Sequence, residues 1–348
     1  MSDVSALLEE SVARALAAHA DRKADAAMRA GSLPEPLRTE IAGLGIGHAL
    51  LPEDAGGAGC GWRDIMPVLR ALGRAAAPLP VAEEMVARRL VERAGLPQPD
   101  GLVTLAPDAG AMVVAADGSL SGTLAGVPWG RFASAFVIET NGPGGREIVL
   151  LPAAAIACEH DANLAGEPRD LLSFRGVQAI GRGPARGPTL RGVGAAMRAG
   201  LIAGAVQGAQ HRAVAYAGER QQFGKPLAAF QAIQQQLAVL AEESLAADMA
   251  ARGAFAALEG PDAEVWCAIA RLRADDAASG AIAIAHQVHG AIGFTREHDL
   301  HRLTTRLMSW RAEFGSTGEW SAWLAGQVGG DARLWDRVVT WSAAVSTP

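Results

Sequence analysis

The stretch Tyr216-Ala217-Gly218-Glu219-Arg220-Gln221-Gln222-Phe223-Gly224-Lys225-Pro226, continuing to Phe230-Gln231-Ala232-Ile233, sets an arginine and a glutamine on either side of a Gly-Lys-Pro turn. A guanidinium presents a planar fork of donors that matches phosphate oxygens, and an amide can return toward the same ligand from beyond the turn. The pattern therefore points to one phosphorylated ligand held by Arg220 and Gln231, with Phe223 as a flat cover and Gly224 permitting a turn that a side chain would hinder. A second candidate is His286-Gln287-Val288-His289-Gly290-Ala291-Ile292-Gly293-Phe294-Thr295, a helix end running into a glycine-rich turn where backbone groups lie open to a ligand. The plain alternatives are that Arg220 pairs with a surface carboxylate, that Gln231 opens a helix, and that Gly290 is a helix cap. His286 and His289 have no third partner of metal-ligating type nearby in the sequence, so no metal is assigned.

Long helices must hold these segments. Residues from 5 to about 97 follow helical spacing, with a Pro- and Gly-rich loop at Leu51-Pro52-Glu53-Asp54-Ala55-Gly56-Gly57 and a helix around Ile65 to Ala75. From about 101 to 180, short β-suited runs (Leu102–Leu105, Met112–Val114, Phe136–Ile138, Ile148–Leu151) alternate with Gly, Asp and Asn turns, which predicts a small antiparallel barrel or sandwich. The remainder is helical, with Ile233, Leu237, Ala241, Leu245 and Met249 in an i, i+4 ladder and enough Ala and Gly over 195–217 for close helix packing. Asp262 is placed to cap a following helix. The division expected is 1–97 helical, 98–185 β and 186–348 helical bundle.

Composition narrows the function. The 348 residues carry a net charge of −6, with Lys and Arg scattered, which argues against a nucleic-acid surface. The cysteines Cys60, Cys158 and Cys267 are odd in number and far apart, as expected of buried thiols in a reducing compartment. The N-terminus has no basic start followed by an apolar core, and no apolar run is long enough to span a bilayer. These features lead to the expectation of a cytoplasmic protein. Trp310, Trp320, Trp323, Trp335 and Trp341 crowd the last part of the chain and are expected to anchor helices or a subunit interface.

The Arg220–Ile233 string, together with the order helices, strands, helices, resembles the acyl-CoA dehydrogenase family. That resemblance implies a mainly α fold with a middle β-domain: an N-terminal helical domain, a small β-barrel and a C-terminal four-helix bundle. It further implies FAD as cofactor. Residues matching Arg220, Phe223 and Gln231 reach the FAD of a neighbouring subunit, so an oligomer is expected. Gln287 and Gly290 match the family's Gln-x-x-Gly-Gly-x-Gly-[Phe/Tyr] segment along the dinucleotide, with Ala291 replacing the second glycine. Trp129 in Val127-Pro128-Trp129 corresponds to a tryptophan beside the flavin, the alternative being an ordinary core residue. The family's Thr/Ser-Glu-Pro-x-x-Gly-Ser-Asp signature is absent, and Ala106-Pro107-Asp108-Ala109-Gly110 stands in its region.

The chemistry implied by the resemblance is α,β-dehydrogenation of an acyl-CoA thioester, in which a carboxylate takes the α-proton while the β-hydride moves to flavin N5. An electron-transferring flavoprotein is the implied acceptor. The base must sit in a dry pocket that raises its pKa. Many relatives place that glutamate directly before Gly-Thr or Gly-Ser. Here Phe314 fills the slot before Gly315-Ser316, and Glu313 is one residue early. Others place it before an arginine on the first bundle helix, where this chain reads Met197-Arg198. Glu313 is accordingly the candidate base, Glu319 a weaker substitute, and pairing of Glu313 with Arg311 or Arg306 the structural alternative. Another alternative is a non-catalytic partner subunit of a heteromeric enzyme, which completes the flavin site of another chain; the shortness of the chain fits it.

Overall fold

The structure is a computed structural model that describes residues 3–107, 110, 112–328, 335–336 and 339–341. Helices α1 (Asp3–His19), α2 (Arg22–Arg29), α3 (Glu35–Gly43), α4 (Trp62–Arg74) and α5 (Val81–Arg93) come first. Their starts follow local chemistry. Asp21 accepts from the backbone N–H groups of Lys23 and Ala24 at the head of α2. Asp64 accepts from the Gly61 N–H at the head of α4.

The strands are β1 (Val103–Leu105), β2 (Val113–Val114), β3 (Leu120–Pro128), β4 (Ala135–Gly142), β5 (Gly145–Pro152), β6 (Ala157–Glu159), β7 (Arg169–Val177) and β8 (Gly181–Pro184). They make two four-stranded sheets, ordered β1-β4-β5-β8 and β2-β3-β7-β6, antiparallel apart from the parallel β1–β4 pair. Side chains alternate across β4 and β5. Phe136, Ile138, Val149 and Leu151 meet Leu124, Leu172 and Phe174 between the sheets. Ala135, Val137, Ile148 and Leu150 turn the other way and join the helical core. Burial on both faces accounts for the continuous apolar run Ile148–Leu151.

The C-terminal helices are α6 (Leu190–Glu219), α7 (Gln231–Ala257), α8 (Ala263–His289), α9 (Leu300–Trp310) and α10 (Thr317–Val328), with the short strands β9 (Gln221–Gln222) and β10 (Lys225–Pro226) between α6 and α7. Thr189 caps α6 by accepting from the Gly192 N–H. Asp262 stands at the cap position of α8 but its side chain makes no capping bond. Helix α6 is the central strut, packing on α4, α7, α8 and α9. Its glycines let α4 come to backbone contact. A Cβ at Gly204 would lie 2.1 Å from the Arg70 carbonyl oxygen, and one at Gly73 would lie 2.0 Å from that of Leu201.

The i, i+4 ladder on α7 begins against the core, where Ile233 and Leu237 pack, and turns outward along the helix. Leu240, Ser244, Ala247 and Ala251 pack inward, while Leu245 and Met249 are 64 % and 58 % exposed. Small residues allow close approach within the bundle, and the larger ones are displaced outward. Cys60 and Cys267 are buried and Cys158 is half-buried, all three unpaired. Among the described residues no helix is long and apolar enough to cross a membrane.

Candidate functional site

Helix α6 ends where the Arg220 N–H donates to the Tyr216 carbonyl, and the chain reverses so that the Leu227 N–H donates to the Arg220 carbonyl. Strands β9 and β10 pair antiparallel, Gln222 with Lys225 and Gln221 with Pro226. The turn proper is therefore Phe223-Gly224, one step earlier than the Gly-Lys-Pro reading. Both residues have positive φ, 51° and 78°, the signature of a two-residue hairpin loop whose twist matches its strands. Phe223 holds an aromatic ring out at 92 % exposure on a backbone conformation unusual for its type. Its ring meets Phe230 edge-on at 6.2 Å, and the Lys225 ammonium stands 4.3 Å over the Phe230 ring. Arg220 and Gln231 are exposed on this hairpin and at the head of α7. No carboxylate described lies within ion-pair distance of Arg220, so the surface-pair alternative is not found.

The end of α8 shares this face. His289 stacks on Tyr216 at 4.6 Å and contacts His298 at 4.5 Å, which ties the α8 terminus to the last turns of α6. Gly290 follows with φ 62°, and Gln287, Gly290, Phe294, Thr305 and Met308 line a groove of about 690 Å³. Ala291 has no positive φ, so its extra methyl imposes no backbone strain.

The other candidates lie elsewhere. Trp129, 1 % exposed, faces a small void between the β-domain and the helices, together with Glu83, Glu167, Arg198 and Trp310. Around that void runs a continuous chain of ion pairs. Arg306 donates to Asp25 at 2.9 Å and to Glu167 at 2.8 Å. Arg169 donates to Glu167 at 2.9 Å and to Glu313 at 2.7 Å. Arg198 donates to Glu313 at 2.6 Å and to Glu83 at 2.7 Å. Trp310 Nε1 adds a bond to Glu167 at 2.9 Å, and Asn163 one to Glu313 at 3.3 Å. The remaining void is about 10 Å³, room for one water at most.

Glu313, with its side chain 11 % exposed, thus pairs with Arg169 and Arg198 rather than with Arg311 or Arg306. Burial pushes its carboxyl up, but the Arg169 and Arg198 guanidiniums outweigh that and hold it below the ordinary carboxylate value. Glu167 behaves alike: burial raises it, Arg306 and Arg169 overcome the rise, and its pKa falls to about 2. The turn that carries Glu313 is clamped by Arg271 of α8, which pairs with Asp275 and donates to the carbonyls of Arg311 and Gly315. Phe314 (φ 56°) fills the space against α6, where a Cβ at Gly194 would lie 2.1 Å from its ring. Glu319 is exposed, caps the Ser316 N–H at 2.8 Å and pairs with Arg191.

Sequence reasoning passed over Glu83, Glu167 and Arg169. The signal for them was Arg198 itself, a charge flanked by Gly194-Ala195-Ala196-Met197 and Ala199-Gly200-Leu201-Ile202, which requires buried counter-charges. Arg198 and Tyr216 are both on α6, eighteen residues apart in the numbering and so roughly 27 Å apart along the axis. The exposed hairpin and the ion-paired junction are therefore separate places.

Two family models match: the acyl-CoA dehydrogenase N-terminal domain over residues 2–98 and the acyl-CoA dehydrogenase C-terminal domain over residues 191–318. Acyl-CoA dehydrogenase FadE34 of Mycobacterium tuberculosis is 30 % identical over 309 residues, covering 82 % of this chain but only 41 % of the length of that protein. Acyl-CoA dehydrogenase IpdE2 of the same organism is 30 % identical over 310 residues, covering 85 % of this chain and 88 % of its own. Among solved structures, the Tcur3481-Tcur3483 steroid ACAD, G363A variant, superimposes with a TM-score of 0.86 at 26 % identity, over 93 % of this chain and 97 % of that one. The ChsE4-ChsE5 complex from Mycobacterium tuberculosis has the same fold, with a TM-score of 0.87 at 21 % identity over 95 % and 98 % of the two chains.

Proposed function

The chain belongs to the acyl-CoA dehydrogenase family, and from that premise we propose that it is the flavin-completing subunit of an acyl-CoA dehydrogenase built from unlike chains. The observation that carries this reading is the contrast between the two ends of α6: an open cationic hairpin at one, a junction sealed by ion pairs at the other.

The residues fit FAD in one of these places and not in the other. On the hairpin face, Arg220 would bind phosphate oxygens through its fork, Gln231 and Gln287 would bond polar edges of the dinucleotide, and Phe223 would cover a ring edge. Gly290, at φ 62° and without a side chain, would let backbone approach that ligand. An isoalloxazine ring does not fit beside Trp129, where about 10 Å³ is left. When bound, FAD supplies acceptance of a hydride from the acyl-CoA β-carbon.

Proton abstraction is assigned to the partner chain. A base for a thioester α-proton needs its pKa raised toward neutrality. Glu313 is held the opposite way by Arg169 and Arg198, and Trp129 is read as a core residue of the sealed junction. Leu245, Met249 and Val239, exposed on α7, suit burial against another subunit. The 26 % identity to a steroid ACAD named for two chains supports both the unlike pair and a bulky acyl-CoA thioester as its substrate. An electron-transferring flavoprotein is the proposed acceptor.

The deciding experiment is flavin stoichiometry. The chain is purified alone and co-expressed with an acyl-CoA dehydrogenase paralogue from its own genome, and FAD is counted per chain. The proposal expects no flavin in the chain alone and one FAD per unlike pair. One FAD per chain, or turnover by the chain alone, would refute it.

A further inference from the structure

A groove of about 630 Å³ opens where α1, α2, α4, α6 and α9 meet. Its floor is made of small or apolar side chains, among them Ala13, Leu16, Ala17, Ala71 and Ala75, and its rim is charged. The rim charges can be accounted for one by one. Asp21 is occupied in capping α2. Arg22 pairs with Asp299 at 2.6 Å. Arg302 pairs with Asp25 and donates to the carbonyls of Ala20 and Asp21. That leaves Lys23, Arg74 and Arg212, for which no carboxylate lies within ion-pair distance among the described residues. Arg212 makes one bond, from Nη1 to its own helix at the Gly208 carbonyl, 3.2 Å away.

The fold forces these cations together. A Cβ at Gly208 would lie 2.7 Å from the Arg74 carbonyl oxygen, so the last turn of α4 rests on the α6 backbone one turn before Arg212. The guanidinium of Arg212 folds back over that same turn. Burial lowers the pKa of Arg212 and the nearby Arg302 lowers it further, while Asp299 opposes the fall. His211 is lowered by burial and then by Arg74 and Arg212. In a chain of net charge −6, a concave cluster of unneutralised cations is electrostatically unfavourable until an anion enters it.

We infer that this groove binds a phosphoryl-bearing anion with a flat apolar portion, such as the adenosine diphosphate moiety of a nucleotide or of a coenzyme A ester. The Arg74 and Arg212 forks and the Lys23 ammonium would take the phosphate oxygens, and the alanine floor would take the flat portion. The groove is distinct from the Arg220 hairpin: it is lined by α1, α2 and α4, none of which contributes to the hairpin face.

Isothermal titration of the purified full chain with inorganic pyrophosphate, ADP and coenzyme A, at low and at physiological salt, tests this. Saturable binding of at least one probe is expected, weakening as salt rises. Arg74→Gln with Arg212→Gln should weaken it tenfold or more, and Arg63→Gln, at an exposed arginine outside the groove, should leave it unchanged. Tighter binding of ADP than of coenzyme A points to a free nucleotide, and the reverse to a coenzyme A ester; both support the site. Lys23→Gln, a substitution at an exposed side chain, gives a second reading, with a smaller loss expected, should the double variant fold poorly. No binding of any probe at low salt, wild-type binding by the Arg double variant and by Lys23→Gln, or an equal loss of binding in Arg63→Gln would overturn the inference.

Discussion

The Arg198 guanidinium lies between two carboxylates, donating from Nε to Glu313 at 2.6 Å and from Nη2 to Glu83 at 2.7 Å. Through Glu313 it reaches Arg169 of the β-domain, and through Glu83 it reaches α5. One buried cation on α6 thereby fastens the N-terminal helices, the sheets and the bundle where the three meet. In a dry junction such a pair is worth little against an apolar filling, but removing one partner is costly because the other is left charged and buried.

Glu313→Gln should therefore separate stability from turnover. Gln keeps the shape but leaves Arg169 and Arg198 short of an anion, at a cost of about 3 kcal/mol, which lowers the melting temperature of the isolated chain. Acyl-CoA oxidation by the assembled enzyme should stay within about twofold of wild type, a change of under 1 kcal/mol in barrier. A drop in kcat of a hundredfold, with flavin content intact, would restore Glu313 as the base.

Arg220→Ala should do the reverse. The side chain is exposed and makes no described ion pair, so the melting temperature of the isolated chain is expected to hold. Loss of a charge-assisted bond of about 1.5–3 kcal/mol to phosphate should weaken FAD retention in the assembled enzyme roughly tenfold to a hundredfold. Flavin absorbance after gel filtration measures it. Full flavin retention would show that the hairpin does not meet the cofactor.

Acid should open the three-domain junction. The Glu167 pKa falls from 4.5 to about 2 in the folded chain, so the folded state binds fewer protons than the unfolded state across that interval. Stability from this group is fully present above about pH 4.5 and is lost as pH falls toward 2, about 3 kcal/mol in all. Glu313, also lowered, acts in the same direction. Thermal melts between pH 6 and 3 should show the fall, and Glu167→Gln should flatten it while starting from a lower value. A wild-type melting temperature independent of pH over this range would contradict the assignment.

The fold was legible because periodicity is local. The strand runs and the Ala/Gly-rich helix could each be read from neighbours in the chain, and the Arg220–Gln231 hairpin is itself a contiguous string. The ion-paired junction was not legible, because Asp25, Glu83, Glu167, Arg198 and Glu313 come from five separate segments and no spacing links them. Glu313 could be nominated from its position before Phe314-Gly315, but its state depends on Arg169, 144 residues away. The i, i+4 ladder on α7 was legible as a stripe, but that its Leu245 and Met249 end is exposed was not, because periodicity finds a stripe and only packing says which part of it faces inward.

The contact between α4 and α6 yields the sharpest structural test. At Gly204 an added Cβ would stand 2.1 Å from the Arg70 carbonyl oxygen and 2.9 Å from the Arg74 backbone nitrogen. Both are main-chain atoms of a helix, so no side chain can swing aside and the two axes must separate. Gly204→Ala should cost about 1–3 kcal/mol or more, despite the better helix propensity of alanine. Gly218, in the last turn of the same helix, has nothing within 4 Å of a built Cβ, so Gly218→Ala should stabilise by roughly 0.5–1 kcal/mol. Opposite shifts in melting temperature from the same substitution in one helix would verify the close crossing. Equal shifts would mean that α4 does not rest on α6 at backbone distance, and the juxtaposition of Arg74 with Arg212 would lose its cause.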